Sequence, residues 1–546
     1  MKTTQVLLSF LLCLLILPSC NSEKKGKEES SSLKIFRYNQ DTSVGSLDPA
    51  FAKDRGSTWI CNQLYNSLVQ VDEGLHVKPS IAKSWEASSD GLKYVFTLRD
   101  DVYFHDDDCF PNGKGRKVTA QDVVYSFNRL LDGKIASPGA WLFRDKVAGD
   151  QAFIARGEQS FELNLIKPFR PIMGILSMQY CSIIPKESVD KYGPDFRSHP
   201  VGTGPFEIKT WVEGQKLILE KNGNYFEKDS AGKSLPKVDG VIVSFNENKQ
   251  AAYLELLKGN LDMVSGIDAS YKDEALTKTG ELQSNLEGKI VLKKSPFLNS
   301  EYLGILLDRE KNPALNDVRV RQALNYGFDR ERMVRFLRNG IGKPAISGFT
   351  PPGLPSFNAQ KVPGYKYDQA KARELMQAAG YSAQKPLELQ VTTSASYSDL
   401  CTYIQNQFKD IGVDLKIDVL PGSQVREMMT KGQANFFRGS WIADYPDAES
   451  FFTVFYGGYP APPNYTRFKN AEFDKLYEAA LVENDDAKRH DIYQQMDRII
   501  VEDAPIIPLM YDESIRFLNP RVSGLKNSAL NLLDLRKVDL KMDNSH

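Results

Sequence analysis

Cysteine and histidine are scarce in this chain, and neither is spaced for metal or redox chemistry. Of its 6 cysteines, two fall in the first twenty residues; Cys61, Cys109, Cys181 and Cys401 stand far apart with no C-x-x-C pair, which excludes the usual zinc and dithiol signatures. The 5 histidines, His76, His105, His199, His490 and His546, never come within three to five residues of one another, so no histidine-based metal site is expected. Net charge is nearly absent, with 69 basic against 70 acidic residues and a balance of −1. No field exists to draw nucleic acid or acidic lipid. After the first twenty residues no apolar run is long enough to span a membrane. No nucleophile, base and oxyanion arrangement is visible, so neither catalysis nor a cofactor is expected. Gly202 and Gly204 make no nucleotide loop, because neither Lys-Ser/Thr nor a helix opening follows them.

What is present begins with Lys2 and an apolar run from Val6 to Leu17, too short to cross a bilayer comfortably. It ends in Leu17-Pro18-Ser19-Cys20, which resembles a lipoprotein signal. Such a signal implies removal of residues 1–19 and acyl chains on Cys20. An ordinary secretory signal with an incidental cysteine is the alternative, and Pro18 departs from the commonest lipobox. Residues 20–32 are rich in Lys, Glu, Gly and Ser and read as a flexible tether. An extracytoplasmic address permits one or two disulfides, whose pairing the spacing does not reveal. The 546 residues, at about 150 per domain, suggest three or so structural units.

Strands and helices alternate in the carboxyl-terminal half. Residues 387–393 and 413–420 show the period-two pattern of half-buried strands. Between them Leu400, Ile404, Phe408 and Ile411 recur at helical spacing, with Gly412 as the stop. Asp368 opens an earlier helix that Gly380 closes. Residues 425–431 form a short helix before a third strand at 434–442. This β-α-β-α-β order implies a right-handed, parallel, doubly wound lobe. The amino-terminal half differs. Residues 92–98 and 102–104 read as two strands joined by the Arg99-Asp100-Asp101 turn, Thr119 to Asp122 as a capping box opening a helix, and 161–165 and 217–220 as further strands. Together these suggest an α+β unit, and the Gly/Pro turn at 201–206 breaks one region from the next.

Trp441-Ile442-Ala443-Asp444 sets one acidic side chain where the third strand breaks into a turn. In open α/β sheets, ligands bind beyond the carboxyl ends of strands. A carboxylate buried there needs a cation, and Arg438 is the one candidate nearby in sequence, so a cationic ligand such as a peptide amino terminus is a natural partner. The alternative is a cap for the helix that Phe451 and Phe452 anchor. Asp447 suits that role better, since it follows Pro446 and precedes Glu449 and Ser450. Asp447 is therefore assigned to structure and Asp444 to function. Arg438 stays open between an ion pair and a ligand role. Alternation sends Phe436, Arg438 and Ser440 to one face and Phe437, Gly439 and Trp441 to the other, so both faces line one cleft only if the strand end twists or bulges.

A resemblance then becomes specific. Residues 81–99, Ile-Ala-Lys-Ser-Trp-Glu-Ala-Ser-Ser-Asp-Gly-Leu-Lys-Tyr-Val-Phe-Thr-Leu-Arg, and Val102-Tyr-Phe-His-Asp106 resemble the signature region of the family 5 extracellular solute-binding proteins. Leu47-Asp-Pro-Ala50, Thr119-Ala-Gln-Asp-Val123, Pro200-Val-Gly-Thr-Gly-Pro-Phe206, Val318-Arg-Val-Arg-Gln-Ala-Leu324 and Asp503-Ala-Pro505 occur in the family's order, covering about residues 33–535. The resemblance implies an α/β, periplasmic-binding-protein-like fold of two lobes and a hinge, one lobe carrying an inserted α+β domain. On this chain the first lobe maps to 33–70, 200–290 and 508–546, the inserted domain to 71–199 and the second lobe to 291–507. It further implies a monomer that captures di- or oligopeptides for an ABC permease, without metal or cofactor.

By that resemblance Asp444, with Trp441, Ile442 and Ala443 completing its element, pairs with the peptide's α-amino group, and Arg438 holds the carboxylate of a short peptide. Main chain from Lys53, Asp54 and Arg55 contributes further contacts. Lys53 and Arg55 stand where the family's loop is often neutral or acidic, a departure that bears on ligand length or charge. Trp141 is either a pocket residue or a buried core tryptophan. Two other readings stand beside this one: the same fold binding a nickel chelate, sugar or other small solute, and an anchored surface hydrolase, for which Asp444 and Asp447 are poorly spaced.

Overall fold

The computed structural model describes residues 33–541, apart from 269 and 309. The expected signal 1–19, the anchor Cys20 and the tether 20–32 lie outside the described residues. Within them, eleven strands make one mixed sheet. Its path runs Val413–Val419, Leu387–Thr393, Phe436–Ile442, Val291–Ile305, Ile506–Leu518, Met263–Ser265, Ile35–Gln40, Gly240–Phe245, Lys216–Lys221 and Phe206–Val212, with Lys343–Pro344 added beside Ile506–Leu518.

The expected parallel unit forms one end of this sheet. Leu387–Thr393 runs parallel to both Val413–Val419 and Phe436–Ile442, with helices Ser398–Phe408 and Gly422–Lys431 as the crossovers. Local chemistry sets the boundaries. Asp368 accepts from the Lys371 amide at 2.9 Å to start helix Gln369–Ala378, and Gly412 ends the Ser398–Ile411 segment at φ 81°, a conformation glycine adopts without steric cost. At the other end Ile35–Gln40 and Gly240–Phe245 are parallel neighbours.

Two long strands belong to both ends. Val291–Ile305 pairs antiparallel with Ile506–Leu518 over most of its length and with Phe436–Ile442 from Asn299 onward. The ladder between the long pair shifts register between Pro296 and Ser300. Proline lacks the amide that a ladder needs, so the break falls where the backbone is least able to pair.

A separate four-stranded antiparallel sheet, ordered Ala82–Ala87, Lys93–Leu98, Ser160–Asn164 and Phe153–Ala155, carries helix Ala120–Leu131 on its apolar face. Thr119 and Asp122 cap that helix reciprocally, as the capping-box pattern predicts. Phe96, Phe127, Phe143 and Phe161 are fully buried in its core. The expected hairpin of 92–98 with 102–104 does not form. Lys93–Leu98 is flanked instead by Ala82–Ala87 and Ser160–Asn164, while Val102 and Phe104 sink into the core and Tyr103 makes one bridge to Lys117. With both edges of Lys93–Leu98 already occupied, no ladder position remained for 102–104. Cys61, Cys109, Cys181 and Cys401 are all free, so none of the permitted disulfides is present among them.

The Gly/Pro turn at 201–206 joins this unit to the main sheet. The Gly204 amide donates to the Leu64 carbonyl at 2.9 Å. His105 Nε2 donates to the Gly204 carbonyl at 3.0 Å, and Nδ1 accepts from the Gly202 amide at 3.3 Å. Accepting a backbone N–H fixes the neutral tautomer, and burial pushes His105 down to about 4. A Cβ on Gly204 would stand 2.3 Å from the Leu64 carbonyl carbon. Gly204→Ala is therefore expected to lower stability by about 1–3 kcal/mol through overpacking, read as a shift of the urea midpoint.

Candidate functional site

The loop after strand Phe436–Ile442 is held at several residues, but not at its first carboxylate. The Ala443 amide donates to the Leu298 carbonyl at 2.8 Å and the Asp444 amide to Ser450 Oγ at 3.2 Å. Tyr445 is buried in the core of the four-stranded unit, and its hydroxyl donates to Glu449, as does that of Tyr477. Enclosure raises Glu449 to about 7. Asp447 is ion-paired with Arg489, accepts from the Tyr493 hydroxyl at 2.7 Å and from the Glu449 amide at 3.0 Å. The helix Glu449–Phe452 has Ala448 at its N-cap and no side-chain cap, so Asp447 stands one residue before the expected capping position; it holds the Glu449 amide and adds an interior ion pair that the sequence did not disclose.

Asp444 is different. Its carboxylate has no ion pair or hydrogen-bond donor among the described residues. Its side chain is exposed to water and not buried as the sequence reading expects, while the surrounding cleft still costs it enough solvation to push its pKa up to about 6. A carboxylate raised by desolvation alone is one whose charged form lacks a compensating partner.

The cleft has a volume of about 840 Å³, within the range of sites for small ligands. Ile442, Ala443 and Asp444 line it, as do Lys53, Asp54 and Arg55. Trp141 also lies on the cleft, 37% exposed, its ring 6.4 Å from that of Tyr445 and 5.9 Å from Lys146 Nζ. Seven of the nine residues singled out from the sequence thus line one cavity. Arg438 and Trp441 are not among its lining residues. Arg438 is ion-paired with Glu301, the two side chains being 11% and 7% exposed, and lies over the Tyr397 ring. The strand pairs regularly from Phe436 to Ile442, with Trp441 opposite Ser300, so no bulge turns both of its faces to one cleft.

Several lining residues carried no readable signal. Tyr180 lies in no motif, yet its hydroxyl sits in the field of both Asp444 and Asp54; burial, then Asp444, then Asp54 raise it to about 12. Phe297 comes from the register break of the long strand, and Leu530, Asn531 and Leu532 come from near the end of the chain. That late segment is laced onto helix Arg55–Leu64. Trp59 Nε1 donates to the Asn531 carbonyl at 2.7 Å and Asn62 Nδ2 to the Leu533 carbonyl at 2.9 Å. Among the described residues no cluster of His, Cys, Asp and Glu could hold a metal ion, and no helix is long and apolar enough to cross a membrane.

The family model described as bacterial extracellular solute-binding proteins, family 5, middle, matches residues 76–462. The chain belongs to this family. The probable deoxycholate-binding periplasmic protein YgiS of Escherichia coli K12 is 28% identical over 516 residues, covering 90% of each chain. The oligopeptide-binding protein AppA of Bacillus subtilis 168 is 28% identical over 557 residues, covering 96% of each. Among solved structures, the murein tripeptide binding protein MppA in its unliganded open form superposes with a TM-score of 0.79 at 25% identity, covering 93% of this chain and 98% of that one. A second structure of the Escherichia coli MppA gives 0.69. The fold is thus the two-lobed α/β fold of periplasmic binding proteins.

Removing the Arg438 cation strands Glu301 in the interior. Arg438→Leu is expected to cost about 3–5 kcal/mol of stability, the usual penalty for breaking a buried pair from one side. Chemical denaturation of the purified variant checks it.

Proposed function

We propose that this family 5 solute-binding protein captures peptides outside the cytoplasm and delivers them to an ABC permease. The observation that carries this reading is the unpartnered Asp444 carboxylate on the wall of a large, water-reached cleft. A peptide's α-ammonium supplies the missing cation, and in a closed cleft such a charge-assisted hydrogen bond is stronger than in water. An extended peptide offers main-chain donors and acceptors that are indifferent to side-chain identity. Hydrated side-chain pockets then tolerate many shapes. The oligopeptide-binding relative AppA supports the same cargo class. YgiS, named for deoxycholate, marks the alternative of a non-peptide solute in the same fold. An anionic steroid has no ammonium for Asp444, which favours peptide here.

Closure follows from linkage. Contacts made by both lobes exist only when the lobes meet, so the ligand shifts the equilibrium by its difference in affinity for the two forms. The register break at Pro296–Ser300 is the flexible part of the crossing on this reading. The Ala443–Leu298 hydrogen bond joins the ligand loop to it.

Calorimetry with free and amino-acetylated peptides tests the role of Asp444. Acetylation and Asp444→Asn are each expected to cost at least about 2 kcal/mol, with the variant's melting transition retained; equal affinity for free and acetylated peptides would refute the assignment. The pH dependence has a defined sign. The carboxyl is raised to about 6 in the free protein, so affinity falls as pH drops through 6. It falls again above about 8 as the peptide amine loses its proton. At pH 6 binding is expected to release roughly half a proton, seen as a buffer-dependent heat that Asp444→Asn abolishes.

The Leu17-Pro18-Ser19-Cys20 run supports an acyl anchor on Cys20. In detergent phase partition the full chain is expected in the detergent phase and Cys20→Ala in the aqueous phase. Equal partition would remove the anchor from this account.

A further inference from the structure

The cleft holds two unpaired charges of opposite sign. Asp444 stands on one wall, and Lys53 stands on the loop before helix Arg55–Leu64, both among the lining residues. Lys53 Nζ has no carboxylate within ion-pair reach among the described residues, Asp444 included. Its charged neighbours are committed elsewhere. Asp54 caps the helix, accepting from the Ser57 amide at 2.9 Å and from Ser57 Oγ at 3.1 Å. Arg55 is ion-paired with Asp41, which Lys249 Nζ also approaches at 3.2 Å.

A second cation reinforces that wall from behind. Arg516 is 5% exposed and donates to the Leu532 carbonyl at 2.9 Å and Asn531 Oδ1 at 3.3 Å, with no carboxylate partner, and its Nε is unpartnered. Its guanidinium lies 5.4 Å from the Trp59 ring centroid, and that of Arg55 lies 5.3 Å from the same ring. Trp59, Asn531 and Leu532 all line the cleft. A guanidinium enclosed without its own anion leaves uncompensated positive charge beside the lining, where low dielectric carries it further than in water.

We propose that Lys53 anchors a ligand carboxylate, so that the cleft selects zwitterions whose ammonium rests on Asp444 while a carboxylate reaches Lys53. The inference rests on the peptide reading above and narrows it to short peptides whose anionic group falls at the Asp444–Lys53 span. That group is either the peptide's own carboxyl terminus or an acidic side chain. Lysines on open surfaces usually gain little from such pairs; Lys53 differs because closure removes water from the pair it would make.

The test is calorimetry on the full chain with alanine oligomers of two to five residues, each as free acid, carboxyl amide and amino-acetylated acid. A parallel set of amides carries one aspartate. The proteins are the unaltered chain, Lys53→Met and Lys53→Arg. At one or two lengths the acid is expected to bind at least about tenfold more tightly than its amide. Lys53→Met brings the gap within about twofold, and Lys53→Arg restores it. A gap confined to the aspartate-bearing amides, against plain amides of the same length, assigns the carboxylate to a side chain. A gap that persists in Lys53→Met overturns the proposal. So does equal binding of acid and amide, from either source, while acetylation still weakens binding, and in that case the peptide reading stands. Indifference to acetylation as well, or no binding by any oligomer, overturns both.

Discussion

A carboxylate without a partner governs the design of this molecule. Asp444 is denied the cation that stabilises Asp447 three residues later, and its raised titration records the lack. Leaving a charge partly desolvated is unfavourable, and nothing local relieves it. The loop cannot relax to fetch a counter-ion, because Ala443, Tyr445, Asp447 and Glu449 are each bound to a different part of the protein. The surroundings therefore hold this carboxylate on the cleft lining without a cationic neighbour among the described residues.

The same arrangement divides labour between neighbouring acids. Asp447 and Glu449 face inward to tyrosines and an arginine, and hold backbone. Asp444 lines a cleft that Lys53 and Tyr180 also line. Three acidic side chains within six residues thus differ in role through what each one touches. Arg438 belongs with the inward group: its charge is committed to Glu301 between strands that both ends of the sheet share.

Many of the elements were legible in the sequence because their signals are local. Leu387–Thr393 begins and ends where its alternation does, and Asp368, Gly412 and the Thr119–Asp122 box mark boundaries through contacts within one turn of chain. Val102–Phe104 misled because its alternation reports two buried side chains, not a free sheet edge, and edges are set by distant segments. The long strand Val291–Ile305 was not read at all. Its first half, Val-Leu-Lys-Lys-Ser-Pro, has neither period, and Pro296 argues against a strand, although the proline sits at the break in the ladder. The carboxylate after a strand end stood out from the Trp-Ile-Ala-Asp run, whereas Tyr180, Phe297 and Leu530–Leu532 enter the cleft by tertiary folding alone.

Residues 53–55 and 530–532 line one cavity and are stitched together by Trp59 and Asn62. The pocket therefore has no complete perimeter until the segment around 530–533 has docked against helix Arg55–Leu64, some 470 residues away in sequence. A chain in which residues 530–532 have not yet docked lacks that perimeter. The cavity and the docking of this segment onto helix Arg55–Leu64 are therefore one structural event.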